Sequence, residues 1–492
     1  MPLDRAIHDW AETTPDAPAL WWQDRPVTFR ELGARVSATA SAVAATGAPG
    51  DRVGVVSWNR PEVLDLLLGI PAAGRIAVPL NARLHPAELR NQLRQCGASL
   101  LLGEDDLVDA IVSVGGREVP AIRFGAEHAS WLAAADHREL PTVDDAAAAW
   151  IIFTSGSTGR PKGAVLTHAS LLAATESAAA ARPVAPDDCY LYPFPLFHVS
   201  AYNVLIQHRF GRPVVLMRSF TPGDVLAACE HHAVTTMSLA PTMISMLLDH
   251  PEFERSALAR VRTIGYGASA ISEALLRRVL AETDVGLSQG YGMTELSGNA
   301  CFLDAAGHRL AATSRPELLR SAGVPAPGVE VRLAADGEIL VRAPQIMAGY
   351  WDEPELTART ITDGWLHTGD IGRMDDGYLF VVDRSKDLII SGGENIASRE
   401  VEDAIAEHPA VAAVAVVAVP DAHWGEAVCA VVARRPTGTL TEAEVVAHCR
   451  DRLAGYKRPR HVLFRDEVPI NANGKIDKPM LRAWAAEQVL AT

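Results

Sequence analysis

Short runs of β-branched and other apolar residues alternate along the chain with longer stretches in which apolar residues recur at helical spacing. "DRVGVVSW" at 51–58 precedes "PEVLDLLLGIPAAG", and "RPVVLM" precedes "TPGDVLAACEHHA", which runs into "VTTMSLAP". Strand, helix and strand in that order predict repeated β-α-β units, hence mainly parallel sheets covered by helices. From about residue 320 the texture changes to short strands punctuated by glycine and proline, "GVPAPGVEVRLAADGEILVRAP" and then "GYLFVVDR", which predicts a β-rich subdomain. After Arg384 comes a compact α+β pattern: helix "SREVEDAIAEHP", strand "VAAVAVVAVP", strand "EAVCAVVARR", helix "TEAEVVAHCRDRLAG" and strand "RHVLF". The chain therefore reads as α/β. A large N-terminal domain over 1–383 holds parallel-sheet α/β subdomains plus the β-rich subdomain, a charged connection follows at 384–387, and a small α+β C-terminal domain covers 388–492.

Composition narrows the function classes. At 492 residues the chain has room for two or more domains, and 48% hydrophobic with 21% charged residues is ordinary for a globular protein. A net charge of −15 argues against a nucleic-acid partner, and an anionic ligand would need local cationic pockets. The six cysteines lie far apart with no C-x-x-C, which predicts reduced thiols, and the 16 histidines show no transition-metal spacing. The N-terminus lacks the apolar core of a signal peptide. The longest apolar run, 411–419, is too short to span a bilayer, so a soluble, cytoplasmic protein without a membrane span is expected. A homodimer is left open as its assembly. Only five of the 45 cationic residues are lysine: Lys162, Lys386, Lys457, Lys475 and Lys478. An ammonium is a compact point charge where guanidinium is a broad fork, so the neighbours of these five are informative.

The strand "AAAAWIIFT" runs into "TSGSTGRPKG" at 154–163, where three glycines, four hydroxyl residues and Lys162 make a donor-rich turn able to wrap phosphate oxygens. It is not a P-loop, because Lys162 is preceded by Pro161 and followed by Gly163. The loop resembles the signature of the adenylate-forming superfamily: acyl-CoA synthetases, peptide-synthetase adenylation domains and firefly-type luciferases. The resemblance covers about residues 8–482. It implies ATP binding by Thr154, Ser155, Gly156, Ser157, Thr158, Gly159 and Lys162. "YGASAIS" at 266–272 resembles the adenine-binding turn, with Gly267, Ala268 and Ser269, although the family often has proline at the position of Ala270. "YGMTE" at 291–295, preceded by Gly290, resembles the second signature. There Tyr291 and Gly292 meet the adenine, Thr294 the phosphate, and Glu295 holds magnesium; alone these letters would be a turn capped by Thr294. Asp370 in "GWLHTGD" matches the ribose-binding aspartate, Arg384 a second ribose contact, and Lys386 the hinge on which a mobile C-terminal domain turns. Lys475 in "NANGKIDK" matches the catalytic lysine, though a bare Asn-Gly-Lys would be a hairpin turn with an exposed lysine. Lys478 has no assigned role.

The acceptor and the acid remain to be read. Trp424 and Tyr456 can sandwich an adenine while basic neighbours meet phosphates. Trp424, Tyr456, Arg458 and Arg460 resemble the coenzyme A positions of aryl-CoA ligases, with Lys457 beside them and Gly392 and Gly393 passing the pantetheine; the plain alternative is a solvated basic patch. The sequence after Lys475 carries no carrier-protein serine motif, so a free-standing CoA ligase outranks a peptide-synthetase module. "PLFHVSAYN" at 195–203 resembles the acyl-pocket segment, giving His198, Tyr202 and Met293 as substrate candidates. Neither it nor the turn at 265–268 carries a cation for a second carboxylate, so a hydrophobic monocarboxylic acid is expected. The resemblance thus implies an AMP-forming acyl-CoA ligase using ATP, magnesium and coenzyme A. The rivals are a stand-alone adenylating enzyme that loads a carrier protein and a catalytically silent binding protein.

Overall fold

The computed structural model describes residues 1–492 apart from 116–118, 136–139, 155–160, 268–270, 272, 422, 437–438, 473 and 491–492. The chain divides into two compact units, Met1–Val331 with Val341–His367, and Arg332–Leu340 with Thr368–Thr492. The expected connection at 384–387 begins at the last residue of a strand, Arg384, inside the second unit.

In the first unit, strand β1 (Arg52–Val56), helix α1 (Pro61–Ala72) and strand β2 (Ile76–Leu80) form the β-α-β unit read from the sequence, with β1 and β2 parallel. Pro61 opens α1, where its missing N–H costs nothing. Strands β3 (Ala148–Thr154) and β4 (Lys162–Thr167) pair antiparallel and extend this sheet, and helix α2 (His168–Ala181) follows. Thr167 caps α2 by accepting the Ser170 N–H, while the Ser170 hydroxyl accepts the Thr167 N–H. The second sheet has nine strands among the described residues. Its centre holds the parallel strands β5 (Tyr190–Tyr192), β6 (Thr236–Leu239), β7 (Thr263–Gly267) and β8 (Gly286–Met293), with helix α3 (Tyr202–Arg209) following β5. Strand β9 (Gly298–Leu303) returns antiparallel to β8 and leads into helix α4 (Ala305–Thr313). The short β10 (Gly349–Tyr350) adds to the first sheet beside β4. Every residue of β2 is buried, as expected where helices cover both faces of a parallel sheet.

In the second unit, strands β11 (Trp365–Asp375) and β12 (Tyr378–Arg384) pair antiparallel. Helix α5 (Ser398–Ala406) precedes the long hairpin of β13 (Val411–Asp421) and β14 (Gly425–Arg434). Helix α6 (Glu442–Arg450), strand β15 (His461–Arg465), parallel to β14, and helix α7 (Lys478–Leu490) complete the unit. The uninterrupted apolar run of β13 follows from burial on both faces. Val414, Val416 and Ala418 pack with Val401 and Ile405, while Ala415, Val417 and Val419 pack with Leu481 and Ala485 of α7. The helix expected over 441–455 stops at Arg450, whose carbonyl accepts from the Arg458 side chain, and the Cys449 carbonyl accepts the Arg452 and Leu453 N–H groups of the turn that follows. All six cysteines are buried free thiols, and no helix among the described residues is long and apolar enough to cross a membrane.

Candidate active site

In the first unit, β3 ends at Thr154 directly opposite Lys162, the first residue of β4, and the Thr154 hydroxyl donates to the Lys162 carbonyl at 3.4 Å. The rim of the glycine-rich loop is thereby fixed; Ser155, Gly156, Ser157, Thr158 and Gly159 lie outside the described residues. Pairing of β10 with β4 puts Tyr350 opposite Ala164 and its ring 5.5 Å from the Lys162 ammonium. The Tyr350 hydroxyl donates to Glu295 Oε1 at 2.8 Å. Burial, and then the negative charge of Glu295, push the Tyr350 phenol above its usual range, so it stays protonated as a donor. Glu295 itself is only 8% exposed. Its second carboxylate oxygen has no hydrogen-bond partner among the described residues. One held carboxylate with a spare oxygen beside the rim of the glycine-rich loop fits magnesium, which takes few protein ligands and completes its shell with phosphate and water. The Glu295 turn is anchored from behind: Met347 N–H donates to its carbonyl at 2.9 Å, and the Gln345 amide spans the Leu296 and Asn299 carbonyls, both at 2.9 Å.

Gly267 and Gly290 face each other in register across β7 and β8, where a Cβ on Gly267 would stand 2.5 Å from the Gly290 carbonyl oxygen and one on Gly290 2.3 Å from the Asn299 amide, so the close packing requires glycine at both. Ala268 and Ser269 lie outside the described residues. A bulge between Tyr291 and Gly292 re-aims the end of β8 before Met293 and the one-turn helix Thr294–Leu296. The segment expected to line the acyl pocket is pinned by a residue far away in sequence. Buried Asn59 donates to the Phe194 and Met217 carbonyls at 2.7 and 2.8 Å and accepts the Leu196 N–H at 2.7 Å. His198 then packs edge-on against Phe197 at 4.7 Å, and Tyr202 opens α3 fully buried against Gly298.

In the second unit, Asp370 and Arg384 are register partners across β11 and β12, with Arg384 Nε 3.2 Å from Asp370 Oδ1. The Thr368 hydroxyl accepts the Asp370 N–H at 3.1 Å, so the carboxylate is set on a rigid strand. Lys386 is exposed just beyond β12, and its carbonyl accepts from Arg482 of α7 at 3.1 Å. Lys475 lies on a turn closed by pairing of Ile470 with Ile476; Asn471 accepts its N–H through Oδ1 at 3.2 Å. The coenzyme A candidates separate into two groups. Arg460 stacks over half-exposed Trp424 at 4.7 Å, and Gly392 lies under the same ring with its N–H on the Trp424 carbonyl at 2.9 Å. Gly392 has φ +61, and a Cβ there would stand 2.5 Å from the indole. Gly393 follows it in the same turn and Tyr456 is exposed. Arg458, in contrast, donates to the Leu453 and Arg450 carbonyls, both at 3.1 Å, and so satisfies the end of α6. Lys457 holds both oxygens of Glu400 at 2.7 Å. Sequence reading missed Tyr350, Asn59 and Gln345, which act only through contacts across long separations.

The model of the AMP-binding enzyme family matches residues 7–351, and that of the AMP-binding enzyme C-terminal domain matches residues 400–475. A feruloyl-CoA synthase of Amycolatopsis is 38% identical, with 96% of each chain covered. A fatty acid–[acyl-carrier-protein] ligase of Streptomyces coeruleorubidus is 34% identical over 96% of this chain and 94% of the other. Among solved structures, O-succinylbenzoate coenzyme A synthetase from Bacillus subtilis in complex with ATP and magnesium superposes with a TM-score of 0.88, at 30% identity over 97% of this chain and 98% of that one. The chain belongs to the AMP-binding enzyme family, as an adenylate-forming acid–thiol ligase of the acyl-CoA synthetase type.

Proposed function

We propose that the protein activates a carboxylic acid with an apolar body in two steps, forming acyl-AMP and pyrophosphate from ATP and then passing the acyl group to coenzyme A with release of AMP. The observation that carries the reading is the Lys162–Tyr350–Glu295 arrangement beside the loop rim, a cation and an oriented carboxylate where phosphate oxygens would sit. Lys162 and the loop hold the phosphates, the strand ends at Gly267 and Gly290 meet the base, and Asp370 with Arg384 receives the ribose hydroxyls. Magnesium, when bound, offsets phosphate charge; Glu295 is the residue that would hold it, with Tyr350 fixing the carboxylate. Attack of one anion on another is the difficult step, and Lys475 is the residue that would stabilise the charge that develops between them. Rotation about Lys386 would withdraw Lys475 and bring Trp424, Arg460 and Gly392 into use for coenzyme A. His198, Tyr202 and Met293 line the acid side.

Pyrophosphate and AMP release over aliphatic, alicyclic and aromatic acids, with and without coenzyme A, tests this. Acid-dependent turnover that rises with coenzyme A and falls on the order of a hundredfold or more in Lys475→Ala is the expected result. Silence over the whole panel, with ATP still bound, would overturn it. A carrier protein is the second acceptor to try, because one relative is a ligase of that kind; pyrophosphate release indifferent to coenzyme A would favour it.

A further inference from the structure

On the sheet face that carries Gly267 and Gly290, a cavity of about 280 Å³ lies among strands β5 to β8, the end of α2, helix α3 and the start of α4. Gly265 pairs with Ser288 two residues before Gly267 and Gly290, and Thr263 pairs with Thr236 a further two residues back. Residues two apart on a strand share a face, so the cavity continues that face from about 7 Å beyond the Gly267–Gly290 pair. Its wall concentrates unmet polar chemistry. Arg182, Gln207, Thr236 and Ser288 line it, and one side-chain atom of each, Nε, Oε1, Oγ1 and Oγ in turn, has no hydrogen-bond partner among the described residues. Ser288 is 3% and Gln207 7% exposed. Buried polar atoms are nearly always paired, so a cluster of unpaired ones, mostly donors, marks where a bound molecule would supply acceptors.

Arg182 is held in place. Its Nη2 donates to Asn203 Oδ1 at 2.9 Å, and the Asn203 amide donates to the Ser200 carbonyl at 2.9 Å. Gly265 leaves the space it occupies, since a Cβ there would stand 2.6 Å from Arg182 Nη1. Charge in the wall favours an acceptor too: Arg182, Arg262 and Arg309 line it with Asp188 and Asp304, and Arg262 also lies 4.0 Å from Asp187. Asp188 is already taken by Arg262, the Thr235 hydroxyl and the Ala185 N–H, and Asp304 accepts the Gly307 N–H.

We propose that this cavity is the far end of the acyl site and selects acids whose remote end carries an oxygen acceptor, a ketone or a second carboxylate, received by Arg182 with the Ser288 and Thr236 hydroxyls. The inference rests on the ligase reading and refines its substrate class. It revises the expectation of a wholly hydrophobic acid, which came from two stretches without a cation; Arg182 lies outside both, and Asn203, the last residue of one, anchors it.

The test compares kcat/KM by pyrophosphate release for hexanoic, octanoic, decanoic and hydrocinnamic acids. Each is set beside its terminal methyl-ketone (for the aromatic acid, para-acetyl) analogue and its dicarboxylic analogue. The expected result is a preference of tenfold or more for one oxygenated series over its plain acid, collapsing towards unity in Arg182→Met and shrinking in Ser288→Ala. Ketone and diacid arms separate a neutral from an anionic acceptor. Because the readout is a ratio within each variant, partial loss of folded enzyme does not mimic it. Plain acids preferred in the wild type, or a preference unmoved by both variants, would overturn the inference while leaving the ligase reading intact. No turnover with any acid would overturn the ligase reading and this inference with it.

Discussion

At the scale of single residues, the five lysines have five distinct surroundings. Lys162 faces the Tyr350 ring, Lys457 grips Glu400, Lys475 lies on a tight turn, and Lys386 stands exposed after β12. Lys478, to which sequence reading gave no role, donates to Ser398 Oγ at 2.6 Å and pairs with Glu402 at 2.8 Å. Its compact ammonium meets a hydroxyl and a carboxylate at one point, where a guanidinium would present a broad fork. The coenzyme A residues allow a similar separation. Arg460 and Gly392 both lie against the Trp424 ring, whereas Arg458 is committed to backbone carbonyls. Trp424→Ala is therefore expected to raise KM for coenzyme A about tenfold, the usual worth of a stacking contact. Arg458→Ala should instead lower the melting temperature with a smaller change in KM. Steady-state kinetics paired with thermal unfolding checks both. Equal kinetic effects from the two variants would undo the distinction.

At the scale of elements, helix α7 is tied to the strand that precedes Lys386. Lys478 at its start donates to Ser398, the Ser398 hydroxyl and N–H both donate to Asp383 Oδ2 at 2.7 and 2.6 Å, and Asp383 also accepts the Arg384 N–H at 2.7 Å. One network thus couples β12, α5 and α7, the last beginning three residues after Lys475. Burial pushes the Glu402 carboxyl up and Lys478 opposes it, so removing the lysine strands a charge in a poor place. Lys478→Met should cost about 2 kcal/mol, and Lys478→Met with Glu402→Leu less than the sum of the two single changes. Urea unfolding of the three variants measures this; strict additivity would mean that the pair is not coupled. None of this was visible in "GKIDKPM", because the partners lie 76 and 80 residues away. What was visible had a local cause. Alternation of strands and helices announced the parallel sheets, and the apolar run at 411–419 became β13. The loop and turn motifs sat at strand ends, where backbone groups are open. The end of α6 was misjudged because its carbonyls are satisfied by Arg458, a contact that periodicity does not encode.

At the scale of the whole molecule, an acidic chain keeps two neutral histidines deep in its first unit. His168 Nδ1 accepts the Leu3 N–H at 3.1 Å, which requires that nitrogen to be unprotonated, and His208 Nε2 lies 3.0 Å from the Ala19 carbonyl. Burial pulls both down to about 4 from 6.5. A group with a depressed cationic pKa contributes stability that is complete above the unfolded value and lost as pH falls towards the folded one, because only the unfolded chain takes up the proton. Between pH 7 and 5 each histidine should therefore remove about 2 kcal/mol of stability. Asp65 acts in the other direction. Burial pushes it up to about 7 despite Arg35 at 2.6 Å, so in the same window the folded state gains a proton that the unfolded chain does not. Burial also lowers His128 and His308 of the same unit, so the histidines outweigh the one aspartate and leave a net loss on acidification, and the window stays above the range in which ordinary carboxylates titrate. Urea midpoints of the first unfolding transition at pH 7 and pH 5 should show that loss. His208→Gln or His168→Gln should each reduce it by about 2 kcal/mol, and Asp65→Asn should enlarge it. A loss of the same size in all four proteins would assign the acid sensitivity to other groups.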